Sequence, residues 1–135
     1  MNLAELWRIA RFGVVGLTAA GVHYWTVVAL VELLGMRPQL ANIGGFVVAF
    51  WVSYFGHRHW TFSDTVDHDV GQRTSFLRFL AVALLGFAMN AFLFFLLLHF
   101  TTLPYYVALA IVVLTVAAMT YLLSRLWAFR RSIAR

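Results

Sequence analysis

The sequence predicts an all-α integral membrane protein with four transmembrane helices, built as two parallel two-helix repeats with both termini in the cytoplasm. Three observations predict this. The 135 residues are 63% hydrophobic and 11% charged, whereas soluble domains carry about 25% charged residues and a chain this short cannot hide so much apolar surface from water. Four apolar runs, Phe12–Leu34, Pro38–Gly56, Phe76–Leu98 and Leu103–Leu123, each come close to the roughly 20 residues that cross a bilayer. Finally, Arg11–Phe62 overlays Arg78–Phe129 without gaps at a fixed shift of 67.

The elements follow in order. Asn2–Arg11 is amphipathic, with Leu3, Leu6, Trp7 and Ala10 opposite Glu5, Arg8 and Arg11, and is predicted to lie in the membrane interface ahead of the first span. The first span carries one carboxylate, Glu32, near its far end, where the side chain can reach water. Its apolar stretch exceeds the roughly 7–15 residues of a signal-peptide core, so it is read as a retained span. Gly16, Ala19 and His23 share one of its faces by spacing. The second span has a comparable stripe, Asn42, Gly45, Ala49, Ser53 and Gly56. Small residues let helices approach closely, and the polar ones then lie at depth.

Residues 63–75 form a polar loop. Its Asp64, Asp67, His68 and Asp69 are read as a solvated run rather than a metal site. The third span opens with Arg78 and places Asn90 at the position equivalent to His23. The fourth is less polar, with Ala108, Thr115 and Ala118 along it. Polar groups at mid-depth are costly, which makes His23 and Asn90 candidates for function. Sealing a helix contact with a hydrogen bond is the other role open to them.

All ten basic residues are arginine. Nine lie before the first span, between the second and third, or after the fourth; only Arg37 lies on the opposite side. That asymmetry predicts cytoplasmic termini and a cytoplasmic 63–75 loop. The turns on the other side, Gly35–Arg37 and His99–Thr102, are too short to hold a domain. The basic balance at membrane edges fits anionic head groups rather than nucleic acid. Without cysteine, disulfides and thiolate metal sites are excluded. No phosphate loop, zinc-protease motif or nucleophile triad is present, and neither an enzymatic activity nor a cofactor is expected.

The internal repeat is densest at its ends. Arg11-Phe12 falls on Arg78-Phe79, Ser53-Tyr54 on Thr120-Tyr121, and Arg58, Trp60 and Phe62 on Arg125, Trp127 and Phe129. Two spans per unit give both units the same orientation, so the repeat is parallel: repeat one covers 11–62 and repeat two 78–129 of a single 1–135 domain. Sites of transport tend to lie between such repeats.

These motifs resemble the GtrA-like family of bacterial membrane proteins. The residues that carry the likeness are "RFGVVG" at the start of the first span, "LANIGGF" at the start of the second, and "YFGHRHWTF" at its end. The first and last recur as "RFLAVA" and "YLLSRLWAF". The chain departs from the family's pattern in one place, with His57 and Ser124 where an Asn usually precedes the Arg. The resemblance implies a multi-pass protein of the bacterial inner (cytoplasmic) membrane. It would flip a sugar carried on polyprenyl phosphate, for use by membrane glycosyltransferases that decorate surface polysaccharide.

On that implication, Arg58 and Arg125, with Arg11 and Arg78 beside them, would hold the phosphate, because a guanidinium matches its oxygens bidentately. Trp60 and Trp127 would stack on sugar or lipid. His23, Asn90, Asn42, Ser53 and Thr120, with Tyr54 and Tyr121, would line the path of the sugar. Arg and Trp also anchor helix ends without any ligand, and the sequence leaves both roles open. A non-transporting scaffold that recruits a glycosyltransferase is the alternative function. A small cation exporter fits poorly, since the second to fourth spans contain no carboxylate. Four spans enclose little space, so a homo-oligomer is expected.

Overall fold

The structure, a computed structural model, describes residues 2–61 and 72–133, with side chains at 2–61 and 76–120. The described residues are all helical apart from short turns: α1 (Leu3–Leu34), α2 (Pro38–Gly56), a π-helical turn (His57–Thr61), α3 (Gln72–Phe100) and α4 (Tyr105–Ile133). α1, α2 with its π turn, and α3 are long and apolar enough to cross a membrane, and Tyr105–Thr120 forms a shorter apolar helix.

The predicted second span coincides with α2, and the others need correction at their ends. α1 does not break at Arg11. The stretch Asn2–Arg11, expected to lie in the membrane interface ahead of the first span, is continuous with that span in one helix of 32 residues. Such a helix is about 48 Å long, against a hydrocarbon core of about 30 Å. Nothing in the stretch can interrupt it: it holds no Gly or Pro before Gly13, and its first turn is closed by a capping box. The Asn2 side chain accepts from the Glu5 N–H at 2.9 Å, and Glu5 accepts from the Asn2 N–H at 3.2 Å. The last four residues of the expected 63–75 loop are also helical, because α3 begins at Gln72. α3 runs on to Phe100 and the turn to α4 spans 101–104, later than the predicted His99–Thr102.

The α1–α2 turn follows from local chemistry. Gly35 takes a left-handed conformation (φ 66°) and donates to the Leu30 and Val31 carbonyls, the glycine-stopped helix end that a Cβ would strain. Pro38 then starts α2 at a position where its missing N–H costs nothing.

The chain divides into two compact units, Met1–Phe87 and Ala88–Arg135. In the first, α1 presents Val15, Ala19, His23 and Val27, each four residues from the last, as its buried stripe. α2 meets it with Ala41, Asn42, Gly45 and Ala49. Two glycines set the closeness. A Cβ on Gly45 would lie 2.8 Å from the His23 carbonyl oxygen and 2.6 Å from Val27 Cγ2, and one on Gly56 would lie 2.8 Å from Val15 Cγ1. Gly16 corrects the expected face: it is exposed, a Cβ there would touch nothing, and Val15 takes its place. The other side of α2 carries Phe46, Phe50 and Tyr54, which pack on Phe76, Phe79 and Phe87 of α3.

In the second unit Asn90, Phe94, Ala108, Leu109 and Val112 are buried. All lie in the halves of α3 and α4 nearest their connecting turn.

Candidate functional site

At the end of the α1–α2 hairpin remote from its turn, the stretch "HRHWT" leaves the α-helical pattern. His57–Thr61 is one turn of π-helix, a widened turn often found at functional sites. Contacts from two directions hold it. His57 Nδ1 and the Thr61 hydroxyl share a hydrogen bond of 3.1 Å, with both residues buried. The His57 ring stacks on Phe12 of α1 (centroids 4.7 Å apart, 24° between planes) and meets Phe79 of α3 at 5.9 Å.

This turn carries one of the predicted phosphate ligands and is reached by a second. Arg58 is half-buried, and its Nη1 donates to the Tyr54 hydroxyl at 2.9 Å. Tyr54 is itself buried against Phe50, Phe76 and Phe79, so the hydroxyl is a fixed anchor. A guanidinium has five N–H donors, and among the described residues no carboxylate pairs with Arg58. Arg11 reaches the same turn from α1. Its Nη1 donates to the Trp60 carbonyl at 3.3 Å, and its guanidinium lies 5.9 Å from the centre of the Trp60 ring, within cation–π range. Trp60 remains 44% exposed. Two cations and an accessible indole thus share one helix end, a set suited to a phosphate ester carrying an apolar or sugar substituent.

The other predicted residues are placed elsewhere. His23 Nε2 and Asn42 Oδ1 form a hydrogen bond of 2.7 Å inside the α1–α2 seam, where both are buried. Ser53 is half-buried on α2, and Arg78 is exposed near the start of α3. Asn90 is buried within α3. Thr120 is exposed and its hydroxyl donates back to the Val116 carbonyl of its own helix. The side chains of Tyr121, Arg125 and Trp127 lie outside the described residues, as do Asp64, Asp67, His68 and Asp69. No cluster of metal-ligating side chains occurs among the described residues.

The sequence reading missed Thr61 and the role of Tyr54 as the anchor of Arg58. Both were open to it as i, i+4 pairs, His57/Thr61 and Tyr54/Arg58. The π turn itself has no comparable signature.

The family described as "GtrA/DPMS, transmembrane domain" matches residues 11–129. No curated protein and no solved structure matches the chain.

Proposed function

From the premise that the chain belongs to the GtrA/DPMS transmembrane-domain family, we propose that it moves a polyprenyl-phosphate-linked sugar across the bacterial cytoplasmic membrane for surface-polysaccharide glycosylation. The observation that carries this reading is the cationic helix end around the π turn. Among the described residues the half-buried Arg58 is held by one neutral hydroxyl, which leaves guanidinium donors for an anion. Each charge-assisted hydrogen bond to a phosphate oxygen contributes roughly 1.5–3 kcal/mol. The exposed Trp60 ring beside it would cover the first part of the sugar or lipid.

The site lies at the end of α2 that the arginine asymmetry assigns to the cytoplasm, where a cytoplasmically made lipid-linked sugar would load. The proposed arrangement keeps the two parallel repeats, the cytoplasmic termini and the homo-oligomer as parts of the same reading. Arg125 and Trp127 would stand at the equivalent end of α4. Movement needs no nucleotide: the lipid phosphodiester carries one negative charge, and an inside-negative potential favours its outward passage by roughly 2.3 kcal/mol per 100 mV.

The competing reading, a scaffold that recruits a membrane glycosyltransferase without transporting, draws on the His23–Asn42 bond. Both polar side chains of the α1–α2 seam are engaged with one another, and using them for sugar hydroxyls would require that bond to exchange. Under the transport reading the sugar therefore passes along the outside of this hairpin, past Ser53 and Trp60. Purified chain in liposomes, with a labelled polyprenyl-phosphate sugar, separates the two readings. Protein-dependent exchange between leaflets is expected; inserted protein that gives no exchange but co-purifies with a glycosyltransferase would favour the scaffold.

A further inference from the structure

We infer that the two copies of the Arg-x-Trp-x-Phe motif are functionally unequal, with His57 and Thr61 acting as positioning residues that preset Arg58, and with Ser124 and Ala128 in place of that pair in the second copy. The inference rests on the phosphate reading above and adds to it which arginine does the specific work and what holds it there.

The first observation is in the backbone. Residues 57–61 form a π turn, whereas α4 continues as regular α-helix from Tyr105 to Ile133, through the equivalent residues 124–128. A π turn inserts one extra residue into the ring closed by each hydrogen bond. The side chains it carries are therefore rotated about the helix axis relative to the regular pattern. Arg58 and Trp60 therefore leave their span at angles that an unbroken helix would not give them.

The second observation is in the side chains. The π turn is fastened by the 3.1 Å bond between His57 and Thr61. At the equivalent positions the second copy has Ser124 and Ala128, and alanine has no group with which to make that bond. The imidazole and the hydroxyl are both buried, and a buried polar group is costly without its partner. The bond thus helps to fasten the turn.

The third observation is what the turn aligns. It brings the Trp60 carbonyl to Arg11 Nη1 and leaves Arg58 within 2.9 Å of the Tyr54 hydroxyl, one turn back. Arg11, Arg58 and Trp60 are thereby oriented together before a ligand arrives, which lowers the ordering cost of binding. Thr61 touches no ligand in this scheme; it acts through Arg58.

The test uses the full chain in liposomes and a fluorescent short-chain polyprenyl-phosphate sugar, reading initial exchange rates against lipid-probe concentration. Thr61→Val keeps the shape and removes the hydroxyl. It is expected to raise the half-saturating probe concentration by about fivefold or more, with little change in maximal rate. Thr61→Ser, which restores the hydroxyl, is expected within about twofold of the parent. Ala128→Val, which places the same side chain at the matching position of the second copy, is expected to leave it unaltered. His57→Phe keeps the stack on Phe12 but removes the bond, and is expected to repeat the Thr61→Val loss; it decides the matter if Thr61→Val fails to insert. A Thr61→Val or His57→Phe protein that inserts and saturates like the parent overturns the positioning role. Equal losses from Ala128→Val and Thr61→Val overturn the inequality of the copies. A parent chain with no saturable exchange removes the phosphate reading and this inference together.

Discussion

Two stretches that align at a shift of 67 residues end with the same three residue types and different backbones. The first, α1–α2, is packed along its whole length, from the Val27 and Gly45 contact near its turn to Val15 against Gly56 at its far end. It closes in a fastened π turn. In the second, the positions equivalent to Val27 and His23, Phe94 and Asn90, are buried, but Val82, equivalent to Val15, is 70% exposed. A polar position and a small one of the first stretch become larger apolar ones in the second: Asn42 corresponds to Leu109 and Gly45 to Val112, both essentially fully buried. Leu109 has no polar group with which to repeat the bond that Asn42 makes to His23. Duplication of a motif therefore does not duplicate its geometry. The backbone that carries the arginine is a π turn in the first stretch and a regular α-helix in the second.

The sharpest way to break this comparison is at the arginines. Arg58→Gln is expected to lower apparent affinity for the lipid probe tenfold or more, on the basis of roughly 1.5–3 kcal/mol per charged hydrogen bond, and Arg58→Lys to cost less. Arg125→Gln is expected to cost less than Arg58→Gln. Saturation curves for the three variants, normalised to inserted protein, check the order; equal losses at 58 and 125 would restore the symmetric picture.

Packing comes next. Gly45→Ala drives a methyl group into the His23 carbonyl and Val27, and overpacking of this kind costs about 1–3 kcal/mol. Reversible unfolding in mild detergent is expected to show that loss for Gly45→Ala. A smaller effect belongs to the clasp. Interhelical hydrogen bonds in membranes average about 0.6 kcal/mol and reach about 1.7. His23→Leu is expected to fall in that range, and the His23→Leu/Asn42→Leu pair to recover part of it, since Leu109 already fills the position of Asn42 in the second stretch. A double variant less stable than the sum of the singles would contradict this account of the seam. Smallest of all are Gly16→Ala and Gly86→Ala, where an added Cβ meets nothing within 4 Å; both are expected within about 0.5 kcal/mol of the parent.

Much of the fold was legible because hydrophobic length and turn chemistry are local. Pro38 and the Gly35–Arg37 turn fix the start of α2, and the apolar runs locate all four helices to within a turn or so at most ends. The start of α1 was missed for a physical reason. Arg8 and Arg11 mark where the membrane begins, but a membrane boundary is not a helix boundary, and no residue between Asn2 and Arg11 stops a helix. Gly16 was assigned to the buried face because small residues suggest contact. The actual stripe is set by how α2 crosses α1, and its four-residue spacing selects Val15, one position away. In the site, arginine and tryptophan identified the helix end. The π turn, the Arg11–Trp60 bond and the His23–Asn42 partnership depend on residues 19 to 49 positions apart or on backbone that strict helical periodicity cannot describe.

The central claim is that this chain carries a singly charged phosphate lipid between leaflets without a nucleotide. Its most direct measurement is exchange of a labelled polyprenyl-phosphate sugar in liposomes under an imposed potassium diffusion potential. An inside-negative potential of 100 mV is predicted to speed exit of the lipid and to bias its distribution outward by up to about fifty-fold; reversing the sign is predicted to slow exit. Exchange that requires ATP or ignores the potential would contradict the proposed driving force, and absence of exchange from well-inserted protein would contradict transport itself.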